Sequence, residues 1–458
     1  MTSNGAAKTP SQVDPVPIVL DDLLESGQGV GRVDGLVAFV TGGLPGECVM
    51  ISVDSRKRNY ATAHVTRIET PSPDRIAANC PVFPRCGGCQ TLHYRREAEL
   101  AWKRRLVAHA LARIGGLTDA PVDSVVAAQN DPTCGYRNKV SLVARFIGGR
   151  VRLGFFEARS HRVVPIERCP VALPRLNRAI AGLVSLAASK PEIFRDSRHI
   201  VARASTTRRD LVVSFNSTRP NASLQREVDR VRASIPELSG LLSNWDPASE
   251  NVIFGRRTAV LWGSPATSED VAGATLSAGL PSFFQINTPV LELLAQRVVD
   301  SLRGAGRVVD LYCGVGTFGV LLAKQGVTST GVESFKPSLD DAVANAAENG
   351  VACAAFECAD VAQALAGERG RSLLAGADAV VLDPPRKGCD PEVLNALGDG
   401  RVRRLLYVSC NPATLARDAK ALAAGGYHLS SVSPFDMFPG TGHVEVLARF
   451  EGSQRDPA

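Results

Sequence analysis

No run of apolar residues in this sequence reaches the roughly 18 needed to cross a bilayer as a helix, which excludes a protein built on membrane-spanning helices. Met1 to Val16 hold Thr, Ser, Asn, Pro and Gln but no apolar stretch of the secretory kind, so residues 1–16 are expected to be a disordered tail and not a signal peptide. A second C-x2-C pair, which a zinc ribbon would normally offer, is also missing. The eleven cysteines are odd in number and scattered, which argues against a disulfide framework in a chain without an export signal. These absences point to the cytoplasm, with no membrane and no obligate protein partner implied. They leave metal binding or catalysis to account for some of the thiols. What is present is ordinary globular material: hydrophobic residues make up 45% and charged residues 21% of 458 positions, enough chain for about three domains.

The net charge of +6 is unevenly spread. Residues 306–458 carry 14 basic and 18 acidic side chains, against 38 and 28 in residues 1–305. A basic front and an acidic back suit a chain that grips a polyanion with one part and does chemistry with the other. Residues 17–70 alternate short β-like runs with Gly-rich turns, a pattern that predicts a small closed barrel of the oligonucleotide-binding kind. Its basic turn Arg56-Lys57-Arg58, beside Tyr60, is suited to holding phosphates and stacking a base.

Residues 71–280 open with Cys80, Cys86 and Cys89 in a C-x5-C-x2-C run whose glycines let three thiols face one centre. This three-plus-one arrangement suits an iron–sulfur cluster better than zinc. Cys134 and Cys169 are the candidates for a fourth ligand, and Cys169 is preferred because Cys169-Pro170 repeats Cys80-Pro81. A helix is predicted over Tyr94–Arg113; from Arg85 to Arg113 there are seven basic and two acidic residues, a solvated face or an RNA contact. A hairpin over Tyr136–Ile147 and Val151–Phe156, with strand-like runs at Leu211–Phe215 and Asn251–Phe254, predicts a mainly antiparallel sheet with helices on one face.

From Gly306 strands alternate with helices, the signature of a doubly wound α/β domain, here taken as residues 281–450 with a short tail at 451–458. The strand Arg307–Cys313 leads into Gly314-Val315-Gly316-Thr317-Phe318-Gly319, and the next strand ends at Glu333. This unit fits either a nicotinamide dinucleotide or S-adenosylmethionine (SAM). The strand Ala379–Leu382 decides between them, because it ends in Asp383-Pro384-Pro385, the acidic-Pro-Pro turn that SAM enzymes of this architecture bring to methyl transfer. Amino methylation would call for an aromatic residue after the prolines, and Arg386 stands there. The following strand delivers Cys410, stopped by Asn411-Pro412. Uracil C5 is a poor nucleophile, but a thiolate adding to C6 makes an enolate that attacks the methyl group from C5. A base must then remove the C5 proton, and Glu445, on an otherwise apolar run, is the candidate, with His443 its rival.

These motifs resemble the RNA 5-methyluridine (uracil-C5) methyltransferases along residues 17–450: SCNPATLARD (409–418), DLYCGVGTFG (310–319), DPPR (383–386), FFQIN (283–287), GHVE (442–445) and the cysteine run. The resemblance implies a TRAM barrel, a mixed α+β middle and a Rossmann-like SAM domain acting on ribosomal or transfer RNA. It further implies that Cys410 is the nucleophile and Glu445 the general base, and that Gln285, Tyr312, Glu333, Asp360 and Asp383 line the SAM and uridine pocket, with Phe283 stacking nearby. Cys80, Cys86, Cys89 and Cys169 would hold a [4Fe-4S] cluster. Thr317 departs from the family, where some members have Asn. Cys389 hints at the cytosine-C5 RNA methyltransferases, which use two cysteines, but the intact Asp-Pro-Pro turn makes it structural.

Overall fold

The computed structural model describes residues 15–128, 134–246, 252–398 and 402–452. The two expected tails lie almost wholly outside these residues. Among the described residues the chain forms two compact units, one drawn from Met1–Ala78, Cys89–Glu99 and Gly440–Gly442 and the other from Asn79–Gly88, Leu100–Pro439 and His443–Ala458.

The first unit is built on five strands: β1 (Val16–Leu23), β2 (Gln28–Val33), β3 (Leu36–Thr41), β4 (Cys48–Arg56) and β5 (Tyr60–Thr70). They close into a barrel in the order β1-β2-β3-β5-β4, so no edge is left open. Every second residue points inward, and Ile18, Leu20, Val33, Ala38, Val40, Val49, Ile51, Ala61 and Ala63 fill the interior.

In the second unit, helix α1 (Arg96–Arg113), which belongs to it from Leu100 on, precedes β6 (Lys139–Ile147), β7 (Arg150–Phe156), β8 (Val163–Pro165), α2 (Pro174–Ser189), β9 (Ser197–Ala204), β10 (Leu211–Ser217), the short helices α3 (Ala222–Arg226) and α4 (Val228–Ser234), β11 (Gly240–Trp245) and β12 (Arg257–Gly263). The sheet runs β12-β11-β10-β9-β6-β7-β8. It is antiparallel as expected, except that β10 and β11 run parallel. Its inner face packs on α2, whose Leu176, Ile180, Leu183 and Leu186 recur at helical spacing and are buried. The expected strand at Asn251–Phe254 is not one: Asn251 lies outside the described residues, Val252–Phe254 is irregular, and the edge strand is β12.

A hairpin, β13 (Ala266–Val271) and β14 (Ala274–Gly279), leads to α5 (Thr288–Ser301). The α/β part follows: β15 (Arg307–Leu311), α6 (Thr317–Lys324), β16 (Thr328–Glu333), α7 (Lys336–Glu348), β17 (Ala354–Cys358), α8 (Val361–Ala364), α9 (Gly367–Leu374), β18 (Ala379–Leu382), α10 (Pro391–Leu397), β19 (Arg404–Ser409), α11 (Pro412–Ala424), β20 (Tyr427–Phe435) and β21 (Glu445–Gly452). The sheet order is β17-β16-β15-β18-β19-β21-β20, with β21 alone antiparallel to its neighbours. Strands β18 and β19 are apolar without alternation because both faces are covered. The chain thus has the expected architecture: a small barrel, a mixed α+β middle and a Rossmann-like end. Among the described residues no helix is long and apolar enough to cross a membrane.

Candidate active site

The parallel strands of the α/β sheet end along one edge, and the chemistry-bearing residues sit there in register. Leu311 pairs with Val332 and with Leu382, so Tyr312 follows between Glu333 and Asp383. Leu382 pairs with Tyr407 on the next strand, and Ser409 pairs with Val446. Because β21 runs the opposite way, its first residue, Glu445, arrives at the same edge beside Cys410. An open α/β sheet presents ligands with this edge.

Local sequence explains each placement. Strand β18 stops at Asp383 because Pro384 and Pro385 have no N–H to continue a ladder. After β19 the Asn411 side chain accepts from the N–H groups of Ala413 (3.0 Å) and Thr414 (3.4 Å), and Pro412 begins α11. Cys410 is left half-buried between the end of a strand and the cap of a helix. The loop after β15 turns through positive φ at Tyr312, Gly314 and Gly316, and Gly316 N–H closes the turn on the Cys313 carbonyl at 2.9 Å. Glu333 accepts from the N–H groups of Gly314 (3.1 Å) and Phe335 (2.7 Å), and Asp360 caps α8 through the N–H of Gln363 at 3.1 Å. Gln285 is buried with its Oε1 unpartnered, while Phe283, two residues earlier, is 65% exposed. Asn287 caps α5 and donates to the Met437 carbonyl at 3.3 Å.

The edge is crowded with acids. Burial, then the neighbouring Glu333, pushes Asp383 up to about 7. Burial, then Asp383 and despite Arg386, holds Glu445 well above the ordinary carboxylate range. The Cys410 thiol is pushed up to about 11 by burial and by Glu445, against the pull of Arg386. Asp310, wholly buried in β15, rises to about 8 through burial and the charge of Asp383; its Oδ2 accepts from Gly319 N–H at 3.1 Å and its Oδ1 has no partner. A site of this kind favours a cation and supplies a thiol, a proton-holding carboxyl and an unsatisfied amide oxygen.

A protein-family model described as tRNA (Uracil-5-)-methyltransferase matches residues 277–449, and one for the TRAM domain matches 16–66. The chain is 35% identical over 448 residues to an uncharacterised RNA methyltransferase of Halalkalibacterium halodurans, covering 96% of this chain and 97% of that one. The chain belongs to the RNA uracil-C5 methyltransferases. A second relative, an uncharacterised RNA methyltransferase of Thermosynechococcus vestitus, is 37% identical over 443 residues, covering 94% and 97% of the two chains. Among solved structures, the fold matches Pyrococcus abyssi tRNA (uracil-54, C5)-methyltransferase in complex with S-adenosyl-L-homocysteine, with a TM-score of 0.74 at 25% identity over 95% of this chain and all of that one. The enzyme is therefore an RNA (uracil-C5)-methyltransferase, and its reaction is SAM-dependent methylation of uracil C5 in RNA.

The iron–sulfur expectation is overturned. Among the described residues of the methyltransferase no three His, Cys, Asp or Glu side chains gather as a metal-ion site, so Cys80, Cys86, Cys89 and Cys169 do not form the expected [4Fe-4S] centre. The loop that carries the first three is fastened by its backbone instead: Cys86 N–H donates to the Val82 carbonyl at 3.0 Å and Gly87 N–H to the Phe156 carbonyl at 2.9 Å. Cys169 N–H is held by Asn177 Oδ1 at 2.7 Å, and the residue packs against the α2 core.

Sequence reasoning passed over three residues of the site. Asp310 carried the same signal as Glu445, an acid inside an apolar strand, and is wholly buried. Asp418 is also wholly buried, and it accepts from Tyr407 Oη (2.6 Å), Cys389 N–H (2.8 Å) and Arg417 Nε (2.8 Å). Arg386 entered only as the end of the DPPR signature and as the ground for excluding amino methylation, with no chemical role of its own. Cys389, 3% exposed, belongs to this buried arrangement.

Proposed function

We propose that this enzyme methylates its target through a covalent adduct between Cys410 Sγ and uracil C6, with Glu445 as the base that later removes the C5 proton. The observation that carries the reading is the register of β19 with β21, which brings a thiol and a buried carboxyl to one sheet edge. Cys410 adds to C6 as the thiolate, and the charge passes to an enolate that makes C5 nucleophilic. SAM, when bound, supplies an electrophilic methyl group. Glu445 then accepts the C5 proton, the C5–H electron pair reforms the ring double bond, and the thiolate leaves. Glu445 takes that proton as the carboxylate, having first given its own proton to solvent, and its raised proton affinity then makes it the stronger base.

Gln285, Glu333, Asp360 and Asp383 are the residues we assign to SAM and the target uridine, with Tyr312 shaping the turn between the strands. The fit rests on the unpartnered Gln285 Oε1 and the excess of carboxyls. A sulfonium cation relieves that excess, whereas the pyrophosphate of a nicotinamide dinucleotide would add negative charge to it. We infer a cytoplasmic enzyme, in keeping with eleven cysteines that are all free. The assignment is tested by incubating the enzyme with labelled SAM and unmodified RNA. Cys410→Ala should lose 5-methyluridine formation by about 10³-fold or more. Turnover near the parent rate in that variant would reject the adduct.

A further inference from the structure

The SCNPATLARD segment runs on past the nucleophile to Arg417 and Asp418, two turns along α11, and neither has a part in the chemistry above. Both reach back to the turn after β18. Arg417 Nη2 donates to the Lys387 carbonyl at 2.9 Å and the Cys389 carbonyl at 3.3 Å, while Asp418 accepts from Cys389 N–H and from Tyr407 of the nucleophile strand. Closer to Cys410, Asn411 Nδ2 donates to the Arg386 carbonyl at 3.1 Å and Thr414 Oγ1 to the same oxygen at 3.3 Å. The packing is tight at Gly388, where φ is +78° and an added Cβ would lie 2.5 Å from both Arg417 Nη2 and Asp418 Oδ2. The turn carrying Arg386 is therefore fastened at both ends to the helix that Cys410 precedes.

Strand register sets Cys410 beside Glu445 on one side and the Asp383 turn on the other, and Asn411, the residue after the thiol, bonds the backbone of Arg386, the one cation at this end of the turn's Asp-Pro-Pro-Arg run. A thiolate formed there without a counter-charge would stand against two carboxyl groups. We propose that Arg386 is the cation that stabilises the attacking Cys410 thiolate, and that Arg417 and Asp418 are a positioning pair that holds it there. The thiol proton leaves to solvent. Because Arg386 is exposed, its effect is screened by salt.

This inference rests on the nucleophile reading, and the test separates the two. Cys410 is labelled with iodoacetamide in the full-length enzyme at about pH 8.5, and the Cys410 peptide is followed by mass spectrometry. Arg386→Gln should slow labelling about tenfold, the loss that follows a rise of one unit in thiol proton affinity, and Arg386→Lys should stay within about threefold of the parent. The gap should narrow at high salt. The double variant Asp383→Asn, Glu445→Gln should label faster than the parent. Asp418→Asn and Arg417→Gln should each slow labelling by about threefold or more, with SAM affinity measured by calorimetry unchanged, which separates positioning from loss of fold. If Asp418→Asn does not fold, Arg417→Gln carries the test. Arg386→Gln labelling at the parent rate overturns the thiolate role, and parent rates in both Arg417→Gln and Asp418→Asn overturn the positioning pair. Methylation by Cys410→Ala would sink the nucleophile reading while leaving these rates standing.

Discussion

Four carboxyl groups at one sheet edge set the behaviour of single residues in this enzyme. Glu445→Gln keeps the shape of the side chain but cannot take the C5 proton, so turnover should fall about 10²- to 10⁴-fold. Asp310 offers a different readout, because no chemical step is assigned to it. Its folded-state proton affinity is raised to about 8, whereas in the unfolded chain it titrates near 4. Between those values the folded state binds the extra proton, so stability falls as pH rises through the window. Asp310→Asn removes the penalty and can keep the bond from Gly319. Relative to the parent it should gain on the order of 1 kcal/mol per pH unit from about pH 5 to 8. Denaturant melts at several pH values check this, and a gap that is flat or shrinks with pH contradicts it.

At the scale of elements, the caps and strand ends were legible because their signals are local. Asn411-Pro412 stops a strand and starts a helix by its own chemistry, and Asp383-Pro384-Pro385 ends β18 the same way. The fastening of the loop before Glu445 was not legible, since it joins residues far apart in the chain. Lys103 on α1 donates to Asp436 Oδ1 at 2.6 Å and to the Phe438 carbonyl at 3.0 Å, with both charged side chains wholly buried. Lys103 read from sequence as one more basic residue on a solvated face. Lys103→Met should cost about 3–5 kcal/mol by removing the buried cation that pairs with Asp436, and adding Asp436→Leu should recover much of it. Equal stability of the single variant and the parent would contradict a structural pair. The cysteine run shows the opposite failure. Spacing alone suggested a cluster, but the loop of Cys86 and Gly87 is held by backbone bonds to Val82 and β7, and Cys169 N–H by the Asn177 side chain of α2, which spacing cannot reveal.

For the whole molecule, the division into a basic front and an acidic back was readable from charge alone, as was the barrel, whose strands alternate cleanly. On the barrel, the turn of Lys57 and Arg58 is exposed, and Tyr60 stands beside it with its ring 5.5 Å from that of Phe39. Replacing Lys57 and Arg58 with Ala should weaken RNA binding and lower the slope of log affinity against log salt by up to about two. Turnover at saturating RNA should stay near the parent value; an unchanged slope would take phosphate binding away from that turn. The account as a whole stands on the covalent adduct. Its most direct test incubates Glu445→Gln with SAM and unmodified RNA, digests both polymers and maps any cross-linked peptide by mass spectrometry. The account predicts a methylated uridine joined to Cys410. An adduct at another cysteine, or free 5-methyluridine with no adduct at any stage, would contradict it.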